Sequence, residues 1–228
     1  GNVGPWVGGA CITTLCAPVA QTRNNTIYLD ATGNAVLPAD SVDDNSGGTC
    51  TVASISVSPN SFTCADIGSN IVTLEVISTG NDTATANATV DVLDTISPVL
   101  SLVADTLYLD ASGNASLTAS QLDNGSTDNC GINSLTVSKT NFNCDDLGIN
   151  SVNVTAADNS ANSATAPVNV VVLDTISPQA AANNVTVYLD NGGNAVLDTI
   201  LVENGSVDNC GIGSANVSKN SFSCADLG

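Results

Sequence analysis

The chain returns to the same residues every 80 positions, and this feature limits its fold more than any other. Tyr28-Leu29-Asp30 reappears as Tyr108-Leu109-Asp110 and as Tyr188-Leu189-Asp190. Cys50 reappears at 130 and 210, Phe62 at 142 and 222, and Cys64 at 144 and 224. Leu93-Asp94-Thr95-Ile96-Ser97-Pro98 recurs letter for letter at 173–178. A constant period of this length, without insertion or deletion, marks tandem copies of one small domain. Framed on the recurring proline, the copies are 18–97, 98–177 and an incomplete 178–228, with 1–17 reading as the end of a preceding copy. The frame predicts a window onto a longer array. The alternative is a subunit whose last fold is completed by strands of a neighbour.

Within each copy, apolar residues alternate with polar ones. Val72, Leu74 and Val76 lie on one side of a run and Thr73 and Glu75 on the other; Val152, Val154 and Ala156 repeat the pattern against Asn153 and Thr155. Ala86, Ala88, Val90 and Val92 form a second such row, matched by Ala166, Val168, Val170 and Val172. Period-two alternation broken by Gly-Asn, Asn-Gly and Ser-Pro turn signals predicts half-buried antiparallel strands. Six or seven strands per copy is the size of an immunoglobulin-like β-sandwich, so the predicted fold class is all-β. Leu29, Leu37, Ile55, Val57, Phe62, Ile67 and their equivalents are the expected core. Tyr28, Tyr108 and Tyr188 are expected to help pack it. The junction Leu-Asp-Thr-Ile-Ser-Pro is short, and proline restricts both itself and its predecessor. The copies should therefore form an extended rod.

The charge balance removes whole classes of partner. Twenty-two acidic residues face three basic ones, Arg23, Lys139 and Lys219, for a net charge of −19. Nucleic acid and anionic membrane surfaces both require Lys and Arg in quantity. The longest apolar runs are strand-sized, far short of the roughly 20 residues of a membrane-spanning helix. Acidity of this degree suits solubility and divalent cations.

Eight cysteines, no histidine and no methionine point to an exported protein. Cys50 and Cys64, Cys130 and Cys144, and Cys210 and Cys224 supply one pair per copy, and the constant spacing predicts a disulfide inside each. A loop of about 15 residues closed this way contributes on the order of 3 kcal/mol. Zinc is the competing reading, but the chain offers no His and no C-x-x-C pair. Cys11 and Cys16 break the period; they pair with each other or with chain upstream, and the sequence leaves both open.

The runs Asp128-Asn129-Cys130-Gly131-Ile132, Thr136-Val137-Ser138, Phe142-Asn143-Cys144 and Leu147-Gly148 resemble the hyalin-type (HYR-like), immunoglobulin-like repeats of giant Bacteroidota surface adhesins, gliding-motility adhesins among them. The resemblance covers nearly the whole chain from Pro18 onward. It implies export by the type IX route, an immunoglobulin-like fold and a role in adhesion or as a surface filament, with no catalytic residues. The first copy departs from the pattern, with Gly48-Thr49-Cys50 where the others have Asp-Asn-Cys.

Two kinds of site are expected. Hard cations such as calcium take carboxylate and carbonyl oxygens gathered from loops. Asp123, Asp128 and Asp158 in the second copy, with Glu203 and Asp208 in the third, are the candidate ligands. The first copy has Gly48 and Ser78 in place of Asp128 and Asp158, so two ligands vanish together. The competing reading makes these residues Asn/Asp turn caps. Asp94 and Asp174 at the junctions are a second cation position. The other expected site is O-glycosylation at Asp-Ser/Thr-aliphatic segments, a signal similar to that of exported Bacteroidota proteins; Thr95 and Thr175 occupy identical junction positions. Asn-x-Ser/Thr sequons at Asn24, Asn114 and Asn204 read as compositional. Catalysis is not expected, because no histidine is present to activate Ser or Cys and adjacent acids such as Asp145-Asp146 point apart.

The sequence thus reads as a non-catalytic stalk segment of an extracellular, bacterial cell-surface adhesin or filament. Its partners are neighbouring copies or like subunits, with calcium as the one cofactor. Strand-exchange polymerisation and a glycan- or protein-binding module are the alternatives.

Overall fold

The computed structural model describes residues 17–228, so Cys11, Cys16 and the tail 1–16 lie outside the described residues. The chain is an array of all-β, immunoglobulin-like sandwich repeats. In the first copy the strands are β1 (Pro18–Val19), β2 (Asn25–Tyr28), β3 (Asn34–Val36), β4 (Gly47–Gly48), β5 (Val52–Ser58), β6 (Ser61–Thr63), β7 (Gly68–Ser78) and β8 (Thr83–Leu93). One sheet has the order β2-β8-β7-β5, and the pairs β3-β6 and β1-β4 form the opposing layer. The second copy repeats this with β9 (Asp105–Tyr108), β10 (Asn114–Ser116), β11 (Ile132–Val137), β12 (Asn141–Asn143), β13 (Gly148–Asp158) and β14 (Ser163–Leu173). Its main sheet runs β11-β13-β14-β9, with β10-β12 opposite.

The alternation read from the sequence is the burial pattern of the long hairpins. Val72, Leu74 and Val76 on β7 and Val90 and Val92 on β8 are buried, and they pack on Leu37, Val42 and Phe62 from the other layer. Phe142 anchors the equivalent cluster among Leu117, Leu122, Val152, Val154, Val170 and Val172.

Three expectations need correction. In each four-stranded sheet the first strand pairs in parallel with the last, Ile27 opposite Val92 and Leu107 opposite Val172, although antiparallel pairing was expected throughout. The sandwich admits this because β2 and β8 are separated by the whole copy and need no tight turn between them. Ile67 and Leu147 are exposed, at 38% and 47%, where core positions were expected. Each caps the C-terminus of a 3-10 turn, Cys64–Asp66 or Cys144–Asp146, and so leaves the strand alternation. Tyr28 and Tyr108, expected to pack, are 60% and 61% exposed. Leu29 and Leu109 take the inward positions next to them, and successive strand residues point to opposite faces.

Short helical turns complete the copies. Ala119–Leu122 begins with a capping box in which the Thr118 N–H donates to Gln121 Oε1 at 2.8 Å. In the third copy, β15 (Asn194–Val196) pairs with β16 (Ser221–Ser223), and single bridges join Gln179 to Val207 and Ala182 to Glu203.

Two compact units divide the chain. Among the described residues, one comprises 17–98 together with loops 127–133 and 157–163; the other comprises 99–126, 134–156 and 164–228. Two loops of the second copy thus belong with the first copy.

Candidate functional site

The site begins with where the strands carry the cysteines. β5 is seven residues long and advances about 23 Å at 3.3 Å per residue. β6 returns only three residues, about 10 Å, before Cys64. Cys50 and Cys64 therefore sit toward opposite ends of their copy, whereas a disulfide needs Cα atoms within about 7 Å. The expected pairing inside each copy is overturned. Cys64 bonds Cys130, and Cys144 bonds Cys210, each across 66 residues with Cα atoms 5.4 Å apart. Cys50 is disulfide-bonded, and Cys224 is a free, exposed thiol. Each described disulfide joins one copy to a loop of the next.

Local chemistry prepares both halves of the bond. Cys64 opens a 3-10 turn whose capping box is closed by Asp66 Oδ2, which accepts the Thr63 N–H at 2.8 Å. Asn143 and Asp146 do the same before Cys144, and Ser223 and Asp226 before Cys224. On the other side, Asp128 Oδ2 accepts the Cys130 N–H at 2.9 Å and turns the loop. The Asn129 amide then reaches into the first copy, donating to the Asp30 carbonyl at 3.2 Å and to Asp94 Oδ1 at 3.1 Å. Asn209 repeats both bonds with Asp110 and Asp174. Gly33, at φ +73°, makes the approach sterically possible. A Cβ there would lie 2.8 Å from the Asn129 carbonyl oxygen and 2.7 Å from Cys64 Sγ.

Beside this disulfide stand three carboxylates. Asp94, Asp128 and Asp158 each place one oxygen within 4.8 Å of the others. Asp94 and Asp158 are only 6% and 3% exposed. Asp94 follows β8 and takes the Ile96 N–H at 3.1 Å, which fixes the turn into Ser97-Pro98. Asp158 ends β13, and its Oδ1 accepts the N–H groups of Ser160 and Asn162, both at 2.8 Å. The Asn162 side chain bridges the two, donating to Asp158 Oδ2 at 2.8 Å and to the Asp94 carbonyl at 3.1 Å. Charges this close repel by roughly 3–4 kcal/mol per pair at an effective dielectric of about 20. All three basic side chains are engaged elsewhere: Arg23 with the carbonyls of Asp40 and Ser41, Lys139 with Asp146, and Lys219 with Asp226.

Of the expected cation ligands, the structure brings Asp128 and Asp158 together with junction residue Asp94. It leaves Asp123 and Glu203 in turns of their own. Asp123 Oδ1 accepts the Ser126 N–H at 3.0 Å, and bonding to Ser126 holds its carboxyl below the usual range. Glu203 accepts the Ser206 and Gly205 N–H groups, which lower its pKa in the same way. These two are turn caps. Asp208 caps the Cys210 N–H at 2.9 Å beside Asn209, as Asp128 does beside Asn129. The position equivalent to Asp158 in that copy falls beyond Gly228. Sequence reasoning did not single out Asn129 or Ser160. The available signal was that the first copy loses them too, as Thr49 and Gly80, along with the two aspartates. Thr95 and Thr175 are both exposed.

No protein-family profile and no curated protein matches this chain. Among solved structures, it is similar to the extracellular cadherin domains 1–4 of protocadherin gamma B7, at 15% identity over 81% of this chain and 58% of that one, with a TM-score of 0.35. It is similar to the immunoglobulin domains 1–4 of Sidekick-1, at 11% identity over 69% and 49%, with a TM-score of 0.38. Protocadherin gamma C5 EC1–3 matches at 16% over 70% and 68%, with a TM-score of 0.38. The chain spans about half to three-fifths of the first two in length. The fold stands on the strand pairing itself.

Proposed function

We propose that this chain is a non-catalytic stalk segment of a large extracellular adhesin or surface filament, built to transmit tension from copy to copy. The observation that carries the reading is the pairing of Cys64 with Cys130 and of Cys144 with Cys210. Load passing between copies meets a covalent bond in addition to the short linker, and unfolding one copy cannot detach its neighbour. In this reading the partners are neighbouring copies of the same array, and a hard divalent cation, calcium outside the cell, is the partner of the acidic cluster. The resemblance to Bacteroidota repeats adds a bacterial cell surface, type IX export and gliding or fixed adhesion, with O-glycans on the exposed Thr95 and Thr175. Buried aspartates are poorly placed for glycosidase work, which needs two carboxylates flanking a sugar.

Single-molecule extension tests the stalk reading. Each disulfide withholds 66 residues from the stretched chain, about 220 Å at 3.4 Å per residue. Pulling the oxidised chain should fall short of the reduced chain by at least two such lengths, the bond at Cys50 adding to them. Equal extension before and after reduction would refute the role assigned to the bonds.

A second reading has one observation in its favour. The exposed rings of Tyr28 and Tyr108 recur at the same place in successive copies, as an aromatic platform for glycans would. A glycan array probed with the whole chain decides it, and uniform absence of binding removes the module.

A further inference from the structure

We infer that Asp94, Asp128 and Asp158, with Asn129 and Ser160 beside them, hold one calcium ion within the first compact unit. This deepens the cation partner of the stalk reading by naming its ligands, while the disulfide argument for the stalk stands without any ion.

Buried polar atoms are almost always hydrogen-bonded, and exceptions call for a reason. Among the described residues, five buried side-chain polar atoms have no partner: Asp94 Oδ2, Asp128 Oδ1, Asn129 Oδ1, Ser160 Oγ and Asn209 Oδ1. Four of the five belong to this one cluster. The fifth is the equivalent of Asn129 in the next copy. Asp94 itself is 94% buried, since only 6% of it is exposed, so water does not reach its orphaned oxygen from outside. Every orphan is an oxygen. Of the four in the cluster, three can only accept, and the fourth is a hydroxyl whose oxygen is a ligand as well.

What these atoms lack is a positive centre, and none of the three basic side chains supplies it. Calcium binds oxygens at 2.3–2.6 Å, so two ligands of one ion stand at most about 5 Å apart. Carboxylate oxygens within 4.8 Å of one another satisfy that limit. A set made only of oxygens, from three chain segments, suits calcium better than zinc, which favours nitrogen and sulfur. Two of the three carboxylates are held by bonds that leave one oxygen free, while Asp158 accepts at both oxygens, at Oδ2 from the Asn162 amide alone. Asp94 Oδ1 is taken by Ile96 and Asn129 while Oδ2 is open, and Asp128 Oδ2 is taken by Cys130 while Oδ1 is open.

The first copy supplies an internal control. Its equivalents of Asp128, Asn129, Asp158 and Ser160 are Gly48, Thr49, Ser78 and Gly80, so all four loop ligands are replaced together. The hairpin survives the change: Ser78 Oγ accepts the N–H groups of Gly80 and Asp82, both at 3.2 Å, in the place of Asp158. The carboxylates are therefore dispensable for the turn.

Titration of the whole oxidised chain with calcium chloride, followed calorimetrically, tests the assignment. One ion per chain is expected, with Kd on the order of 10⁻⁴–10⁻³ M, as for extracellular modules. The variant Asp128→Gly/Asp158→Ser copies residues the fold already accepts, and it should lose at least tenfold in affinity. Asp145→Asn removes one exposed charge elsewhere and should bind as the parent does. The melting temperature of the parent should rise with calcium and fall with EDTA, and that of the double variant should respond to neither. Disulfide mapping that still finds Cys64 joined to Cys130 certifies the variant's fold. No calcium uptake by the parent at 10 mM, or equal uptake by the double variant, would overturn the site while leaving the extension measurements untouched.

Discussion

Replacing both Cys64 and Cys130 with serine removes one inter-copy staple without adding bulk. The magnitude follows from the loop that the bond closes. Sixty-six residues separate the two cysteines, and the chain-entropy relation for a loop of that size gives about 4 kcal/mol at 25 °C. The 14-residue spacing of Cys50 and Cys64 would have given about 3 kcal/mol. A domain of this size loses roughly 4–8 °C of Tm per kcal/mol, so the double variant should melt some 15–30 °C lower in its first transition. Chemical denaturation of parent and variant, both without reductant, measures the free energy directly. Peptide mapping of the unreduced parent measures the connectivity, and a single cross-linked species containing Cys64 and Cys130 is expected. A peptide joining Cys50 to Cys64, or a stability loss under about 1 kcal/mol, would refute the argument. In the first case the strands would not separate those cysteines; in the second the loop of the second copy would be held by other contacts alone.

Three further outcomes can be measured. Asn209→Ala removes donors to the Asp110 carbonyl and Asp174 Oδ1 and should cost about 1–3 kcal/mol in denaturant, whereas a neutral result would deny the loop its anchor. Gly33→Ala should cost more than Gly125→Ala by a comparable denaturation assay. Both glycines have positive φ, but only at Gly33 would the new Cβ meet the Asn129 carbonyl, at 2.8 Å; the backbone penalty shared by both is about 1–2 kcal/mol. The third concerns pH. Asp30 is lowered by the Thr32 hydroxyl and the Asn34 and Thr32 N–H groups, Asp146 by Lys139, Asp226 by Lys219, and Asp123 and Glu203 by their turns. Their unfolded values lie near 3.9 for Asp and 4.3 for Glu, so the unfolded chain binds more protons on the way down. The stabilisation is complete above about pH 5 and is lost as pH falls through 4 toward the folded values. Thermal melts from pH 8 to 3 should stay level and then drop, and a decline already at pH 6 would contradict this.

Much of the fold was legible because it is local. The 80-residue period set the copies, and alternation along β7, β8, β13 and β14 named the buried rows around Phe62 and Phe142. Ile67 and Leu147 misled because a 3-10 turn interrupts the alternation just before them. The tyrosines misled because a large ring says nothing about which side of a strand it occupies. At the acidic site, the sequence marked Asp128 and Asp158 through their joint loss in the first copy, but it gave equal weight to Asp123 and Glu203. Only the tertiary structure separates the aspartates that meet at one place from the acids that cap a turn by themselves.

The cysteines show where the sequence stops. Cys64, Cys130, Cys144 and Cys210 each have an in-register partner 14 residues away in the same copy and another 66 away in an adjacent copy, and the two spacings together make one period. A strictly periodic sequence fits both pairings equally well. The choice belongs to the tertiary structure, because the seven-residue β5 carries the chain far past the return of the three-residue β6. The cysteines of one copy end apart, and a loop of the next copy is what comes within bonding distance. The sequence alone therefore determined an array of like sandwiches. The path of the strands decided that the copies are bonded to one another, and that three aspartates from separate segments share one buried place.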